Sequence, residues 1–329
     1  MGRTTHGGGA LRSRRFTSLE ICSGVGAQAL GLERAGFDPV MLIDNEDNAC
    51  RTVRLNRPHW DVLCEDVVDF DPEEHPQTYD VDLLSGGLPR IKSATALGRS
   101  GNDAGRRILR AAVLLMTAVR PRALMLENLP DLVAKDAFAE DRSWIEEELA
   151  HAGYRSYWAV LNAMDFGVPQ NRKSGFLVAF ADRGGVDFSW PRPIDCPPTT
   201  VGQALGASMA SHGWAGAEKW AEQADRPAPA LVGGSGNHGG PDLGPSGSKR
   251  AWAALGVEGK SLSNDPPDSD FPVDGRPRIS LRQAATIQAI PDEWIVHGLK
   301  TPAYRQIGHA LPPPLAEAVG GSIATALAG

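Results

Sequence analysis

The sequence is poor in cysteine. Four stand in 329 residues, Cys22, Cys50, Cys64 and Cys196. None has a Cys-x-x-Cys or Cys-x-His neighbour, which excludes a sequence-evident metal site and a disulfide scaffold. Such sparse use fits reduced thiols in a cytoplasmic protein. Long apolar runs are also missing. No stretch approaches the ~18–20 residues that a bilayer crossing needs, so no membrane segment is expected. Residues 1–15, MGRTTHGGGALRSRR, lack the apolar centre of a secretory signal. They read as a flexible N-terminal tail. Positive charge is not in excess either: the net charge is −7, which argues against a general polyanion binder.

What is present is strongly patterned. Residues 44–82 hold twelve Asp and Glu against three Arg. Residues 90–110 hold Arg90, Lys92, Arg99, Arg106, Arg107 and Arg110 against Asp103 alone. That asymmetry suits a phosphate backbone, although a solvated face has the same pattern.

The first half alternates strands and helices. Strands are expected at Phe16–Cys22, Pro39–Ile43, Val62–Leu63, Val81–Ser85, Arg122–Leu126, Tyr157–Asn162 and Gly175–Phe180. Helices are expected at Ala27–Ala35, Asn48–Leu55, Ile108–Val119 and Ser143–Ala152, the first stopped by Gly36. Apolar, non-alternating strands predict a parallel sheet covered on both faces. After Phe180 the composition shifts to Gly, Pro, Ser and Asp, which reads as a small loop-rich domain. Helical patterns return at Ser280–Ile290 and Pro314–Ala328.

In such a sheet, ligands bind at the carboxyl ends of the strands. The turn after the first strand is Ser23-Gly24-Val25-Gly26-Ala27, whose glycines permit close backbone approach. Asp44 ends the second strand, where a carboxylate can bond ribose hydroxyls. Asp66 follows the third and can accept from an adenine amino group. The third glycine of a dinucleotide fingerprint is absent, which disfavours a pyrophosphate. Together these ends suit an adenosine-containing cofactor; tight turns and helix caps are the plainer reading.

Further segments narrow the field. They are Ser85-Gly86-Gly87-Leu88-Pro89, Glu127-Asn128-Leu129, Pro169-Gln170-Asn171-Arg172, Arg282–Gln288 (RQAATIQ) and Tyr304–Pro314 (YRQIGHALPPP). In this order and spacing they resemble the cytosine-C5 DNA methyltransferases. The resemblance implies a Rossmann-like α/β fold that uses S-adenosylmethionine, with no metal and no membrane contact. It implies residues 16–181 and 279–329 as the cofactor-binding, catalytic-type domain, and 182–278 as a small target-recognition domain. Ser23, Gly24, Gly26, Asp44, Asp66, Pro89, His309 and Ala310 fall where that family binds its cofactor. Double-stranded DNA is the implied partner, with the target base flipped out. Lys92, Arg99 and Arg106 lie where phosphate contacts are expected. In that family a cysteine thiolate after Gly-Gly-x-Pro adds to C6 of the cytosine, which makes C5 nucleophilic. Glu127, with Asn128, stands where the base is held, and Arg172 where an arginine supports the site.

The sequence departs from the pattern inside that pocket. Arg90 stands at the nucleophile position, and a guanidinium offers only donors. Ser174 replaces the second arginine after Gln170, His309 replaces an asparagine, and Cys22 takes a phenylalanine position. A cation is thus gained at 90 and lost at 174. Of the cysteines, Cys22 is expected beside the cofactor, Cys50 packed on a helix, Cys64 buried on a strand, and Cys196 in a Pro-rich stretch. The leading expectation is a non-catalytic or regulatory homologue from the world of DNA methylation and restriction–modification. Such a pseudoenzyme would bind cofactor and DNA, with an active methyltransferase as a candidate partner. Two alternatives stay open: an enzyme with altered chemistry, by non-covalent transfer or a modified cofactor paired with His309, and an active cytosine-C5 methyltransferase using another nucleophile.

Overall fold

The computed structural model describes residues 15–91, 103–182, 185–233 and 240–329. Lys92, Arg99, residues 1–14 and most of the Gly233–Gly240 run lie outside the described residues.

The chain opens β1 (Phe16–Ile21), α1 (Ala27–Arg34), β2 (Phe37–Asp44), α2 (Asp47–Asn56), β3 (Val62–Cys64) and β4 (Leu83–Gly87). Next come α3 (Ala104–Val119), β5 (Ala123–Asn128), α4 (Pro130–Ala134), α5 (Ala139–His151), β6 (Tyr154–Asn162), β7 (Gln170–Asn171) and β8 (Lys173–Ala181). Seven strands form one sheet in the order β3-β2-β1-β4-β5-β8-β6. The chain walks outward from β1 to β3, then restarts on the other side at β4. That reversal puts a crevice at the carboxyl ends of β1 and β4.

The sheet is not wholly parallel, which corrects the expectation. β1 to β5 run parallel, but β8 pairs antiparallel with β5 and β6 antiparallel with β8. The cause lies in the connection. β6 reaches β8 through a 3-10 turn and the short β7, without the helical crossover that a parallel return needs.

Both faces are covered, because the inner strands alternate between two apolar layers. Leu84, Leu124 and Leu126 face α3 and α5, packing with Leu109, Val113, Met116, Ile145 and Leu149. Leu83, Ala123 and Met125 face the opposite layer, built by α11 (Pro313–Ala328) through Leu315, Val319 and Ile323.

The middle segment has more regular structure than its composition suggested. It holds α6 (Val201–Ala210), α7 (Ala217–Gln223), the two-residue β9 (Ala228–Pro229) and α8 (Ser246–Ala254). Its buried Trp214, Trp220 and Trp252 belong to one apolar cluster with Val25, Ala27 and Val53 of the sheet layer. Ala284 and Ile287 of α9 (Leu281–Ile287) join that cluster. Between α9 and α11 lies α10 (Lys300–His309).

Candidate functional site

One cleft of about 640 Å³ runs along the carboxyl ends of the parallel strands. That is within the roughly 300–1,000 Å³ of small-molecule sites. At one end lie Ser23, Gly24, Asp44 and Asp66; at the other lie Pro89, Arg90, Glu127, Arg172, Arg305 and His309. The cofactor-type and base-type residues thus share one space.

The turn after β1 is wound by left-handed residues. Gly24 and Gly26 take φ of 53° and 77°, and Cys22 takes 51° without being glycine. Asp44 holds the turn: its carboxylate accepts from Gly24 N at 2.7 Å and Glu46 N at 2.9 Å. Burial raises the Asp44 pKa, and those two amides oppose the rise. Asp66 accepts from Val68 N at 3.0 Å and faces Arg107 at 3.7 Å. Gly26, expected to touch ligand, does not line the cleft; a Cβ there would press on Val53 and Trp294, 3.0 and 3.2 Å away. Its glycine serves packing, beside the bond from Trp294 Nε1 to Val25 O.

At the other end, the backbone around Arg90 is held firmly. Asn128 Nδ2 donates to Pro89 O at 3.2 Å, while Asn128 Oδ1 accepts from Ile91 N at 3.4 Å. Gly105 of α3 packs so closely that a Cβ would stand 2.6 Å from Arg90 O. Asn128 is therefore a brace outside the cleft. From this braced segment the Arg90 side chain enters the cleft wall, close enough to bias Glu127, Arg172 and His309.

Glu127 is the penultimate residue of β5 and is half-buried. Desolvation raises its pKa, and Arg172 and Arg90 hold it back. Arg172, 3% exposed, donates to Leu231 O at 3.0 Å and Gly308 O at 2.9 Å. Desolvation pulls it down to about 10, with Arg90 adding to the fall and Glu127 opposing it. Its Nε and the Ser174 hydroxyl are buried without a hydrogen bond. His309 is lowered by desolvation and then by Arg90, Arg172 and Arg305, which disfavours its charged form.

The late motifs meet behind this wall. Gln170 Nε2 donates to Gln288 Oε1 at 2.7 Å, and Gln288 Nε2 donates to Ile307 O at 2.7 Å. Gly308 abuts Gly233 so closely that a Cβ would collide with the Gly233 backbone nitrogen. Sequence reasoning gave Gln288 no role, because its partners are distant in the chain. It also passed over Gln28 and Arg305, which line the cleft with orphaned buried atoms.

Two further placements depart from expectation. Arg106 is turned inward, with a bidentate pair to Asp141 at 2.6 and 2.8 Å and a contact to Asp103. The next residue, Arg107, presents the exposed guanidinium at the cleft. Cys64 is exposed rather than buried, while Cys50 is buried as expected. Among the described residues no group of His, Cys, Asp or Glu is placed to hold a metal. Among them, too, no helix is long and apolar enough to cross a membrane.

The chain matches the family described as C-5 cytosine-specific DNA methylase over residues 16–325. It belongs to that family. It is 44% identical over 313 residues to the type II methyltransferase M.NaeI of Lentzea aerocolonigenes, covering 94% of this chain and 75% of that one. It is 41% identical to M.NgoMIV of Neisseria gonorrhoeae, covering 95% and 98%. The Dnmt2 methyltransferase structure from S. pombe superposes with a TM-score of 0.61 at 17% identity, over 95% and 99% of the two chains. At that identity the likeness shows the fold alone. The family's cofactor is S-adenosylmethionine, and the residues fit it: the cleft pairs an open Gly24 turn, with no atom within 4 Å of a Cβ there, with the Asp44 and Asp66 carboxylates.

Proposed function

We propose that this family member binds S-adenosylmethionine and double-stranded DNA, and receives a base in its pocket without forming the covalent adduct of cytosine-C5 transfer. The observation that carries this reading is Arg90 in the cleft wall, on a backbone braced by Asn128 and Gly105. S-adenosylmethionine, when bound, supplies an electrophilic methyl group. Ser23, Gly24, Asp44 and Asp66 would hold it. Glu127 and Arg172 would orient the base. No thiol stands ready to add to C6. Cys22 lines the same cleft, but burial pushes its thiol up to about 12, with Asp44, Asp66 and Glu20 adding to the rise. It is therefore protonated at neutral pH, and only a thiolate is nucleophilic. Cys50, Cys64 and Cys196 do not line the cleft.

The names of the relatives, type II methyltransferases, support DNA as the partner. A regulatory role beside an active methyltransferase is part of the same proposal. The test uses tritiated methyl transfer to cytosine-containing DNA, with calorimetry of S-adenosylhomocysteine binding in parallel. Binding without incorporation is expected. Incorporation that persists through purification and tracks this chain overturns the reading.

A second reading is favoured by the charges around Glu127. The cation missing at Ser174 is supplied at Arg90, so the pocket still opposes its carboxylate with two guanidinium groups. Such a pocket remains fit to hold a base for transfer to an atom that needs no C6 adduct. Mass spectrometry of nucleosides from hosts with and without the gene checks it: a new methylated base is the expected sign, and identical inventories reject it.

A further inference from the structure

Cys50 and Cys64 lie outside the base pocket, yet they meet beside the cofactor end of the cleft. Strand β3 alternates its side chains, so Cys64 points to the same face as Val62. That is the face covered by α2, where Val62 packs with Cys50 and Val53. One carbonyl ties the two residues together. Asp44 O accepts from Cys50 Sγ at 3.2 Å and from Glu65 N, next to Cys64, at 3.0 Å. Cys64 is also the register partner of Asp44 across the parallel pair. The Cys64 thiol is close enough to raise the Cys50 pKa. The next two residues, Glu65 and Asp66, line the cleft, as do Asn48 and Ala49 just before Cys50.

We propose that Cys50 and Cys64 form a dithiol modification site for low-molecular-weight disulfides such as oxidised glutathione. Closing it would clamp α2 to the end of β3 and weaken cofactor binding. Cys64 is exposed and meets the oxidant first. Its thiolate attacks one sulfur of the small disulfide, one small thiolate leaves, and a mixed disulfide remains. The Cys50 thiolate then attacks the Cys64 sulfur and expels the second small thiolate. The two cysteine protons end on the two released thiols. One disulfide is reduced and one is formed, so the exchange balances. Burial holds Cys50 in its protonated form, which makes ring closure the slow step. Closure removes the Cys50 bond to Asp44 O. It also draws Cys64 toward α2, shifting the segment that carries Asp66.

The experiment incubates the full chain with oxidised glutathione and maps cysteine peptides by mass spectrometry. Cys196 is exposed and its thiol belongs to no such pair, so it serves as an internal control for simple adduct formation. The expected product is a Cys50–Cys64 cross-linked peptide, lost in Cys64→Ser, with glutathione retained on Cys196. The oxidised chain should bind S-adenosylhomocysteine at least about fivefold more weakly, the lower end of typical coupling, and recover with dithiothreitol. Glutathione adducts on both Cys64 and Cys196 with no cross-link would overturn the site. A cross-link with unchanged affinity would overturn the coupling. Cys64→Ser alters an exposed side chain, so its fold and cofactor affinity should match the parent before oxidation.

Discussion

Under the proposed function, Arg90 alters the chemistry while the frame that presents it is kept. Its backbone neighbours are fixed by Asn128 and by the close approach of Gly105. Arg90→Cys should therefore present a thiol where the family has one. Alone it strips Glu127 of one of its two cations, so little turnover is expected. Adding Ser174→Arg restores that charge, and trapping of DNA containing 5-fluorocytosine should rise by about 10²-fold, the scale of one restored donor at a developing charge. Denaturing gels read the adduct. An inert double variant would mean that His309 also blocks the site. A second prediction concerns Glu20, which is 1% exposed and raised to about 8, chiefly by desolvation. The unfolded chain loses this proton near pH 4.5, while the folded chain keeps it until about pH 8. Folding stability should thus fall as pH rises from 4.5 to 8. Glu20→Gln should remove that fall. It should stabilise the protein at pH 8 by on the order of a few kcal/mol relative to pH 5, measured by urea unfolding at both values.

Elements are where local pattern and tertiary contact part company. Helix α1 crosses α11 at Gly31, where a Cβ would collide with Pro313 O and stand 2.6 Å from Ala316 Cβ. Gly321 on α11 has nothing within 4 Å of that position. Gly31→Ala should cost about 1–3 kcal/mol or more through overpacking, while Gly321→Ala should gain about 0.5–1 kcal/mol from helix propensity. Thermal melts of the two variants should move in opposite directions; equal shifts would contradict the close crossing. The same contrast explains what the sequence revealed. Strand ends such as Asp44, Asp66 and Glu127 were legible, because apolar runs mark the strands and acids mark their carboxyl ends. The direction of β8 was not, since it depends on the short return through β7. Arg106 looked like part of a basic face, because its partner Asp141 lies 35 residues away. Cys64 looked buried because strand membership does not reveal that β3 sits at the sheet edge.

At the scale of the whole molecule, the middle segment shares its core with the rest of the chain. Trp214, Trp220 and Trp252 pack into one cluster with Val25, Val53, Ala284 and Trp294. Polar ties run the same way: Gln170 accepts from Leu231 N at 2.8 Å, and Arg172 donates to both Leu231 O and Gly308 O. The turn after β1 is thus buttressed by residues from the middle and the end of the chain. Loosening the middle should loosen the cofactor site. Trp252 is fully buried, and Trp252→Ala should destabilise by about 3–5 kcal/mol. In the parent, circular dichroism and loss of S-adenosylhomocysteine binding should follow one urea transition with a common midpoint. In Trp252→Ala both should move together to lower urea. Two separated transitions, or a cofactor site that outlasts the middle segment, would show that the shared core does not couple them.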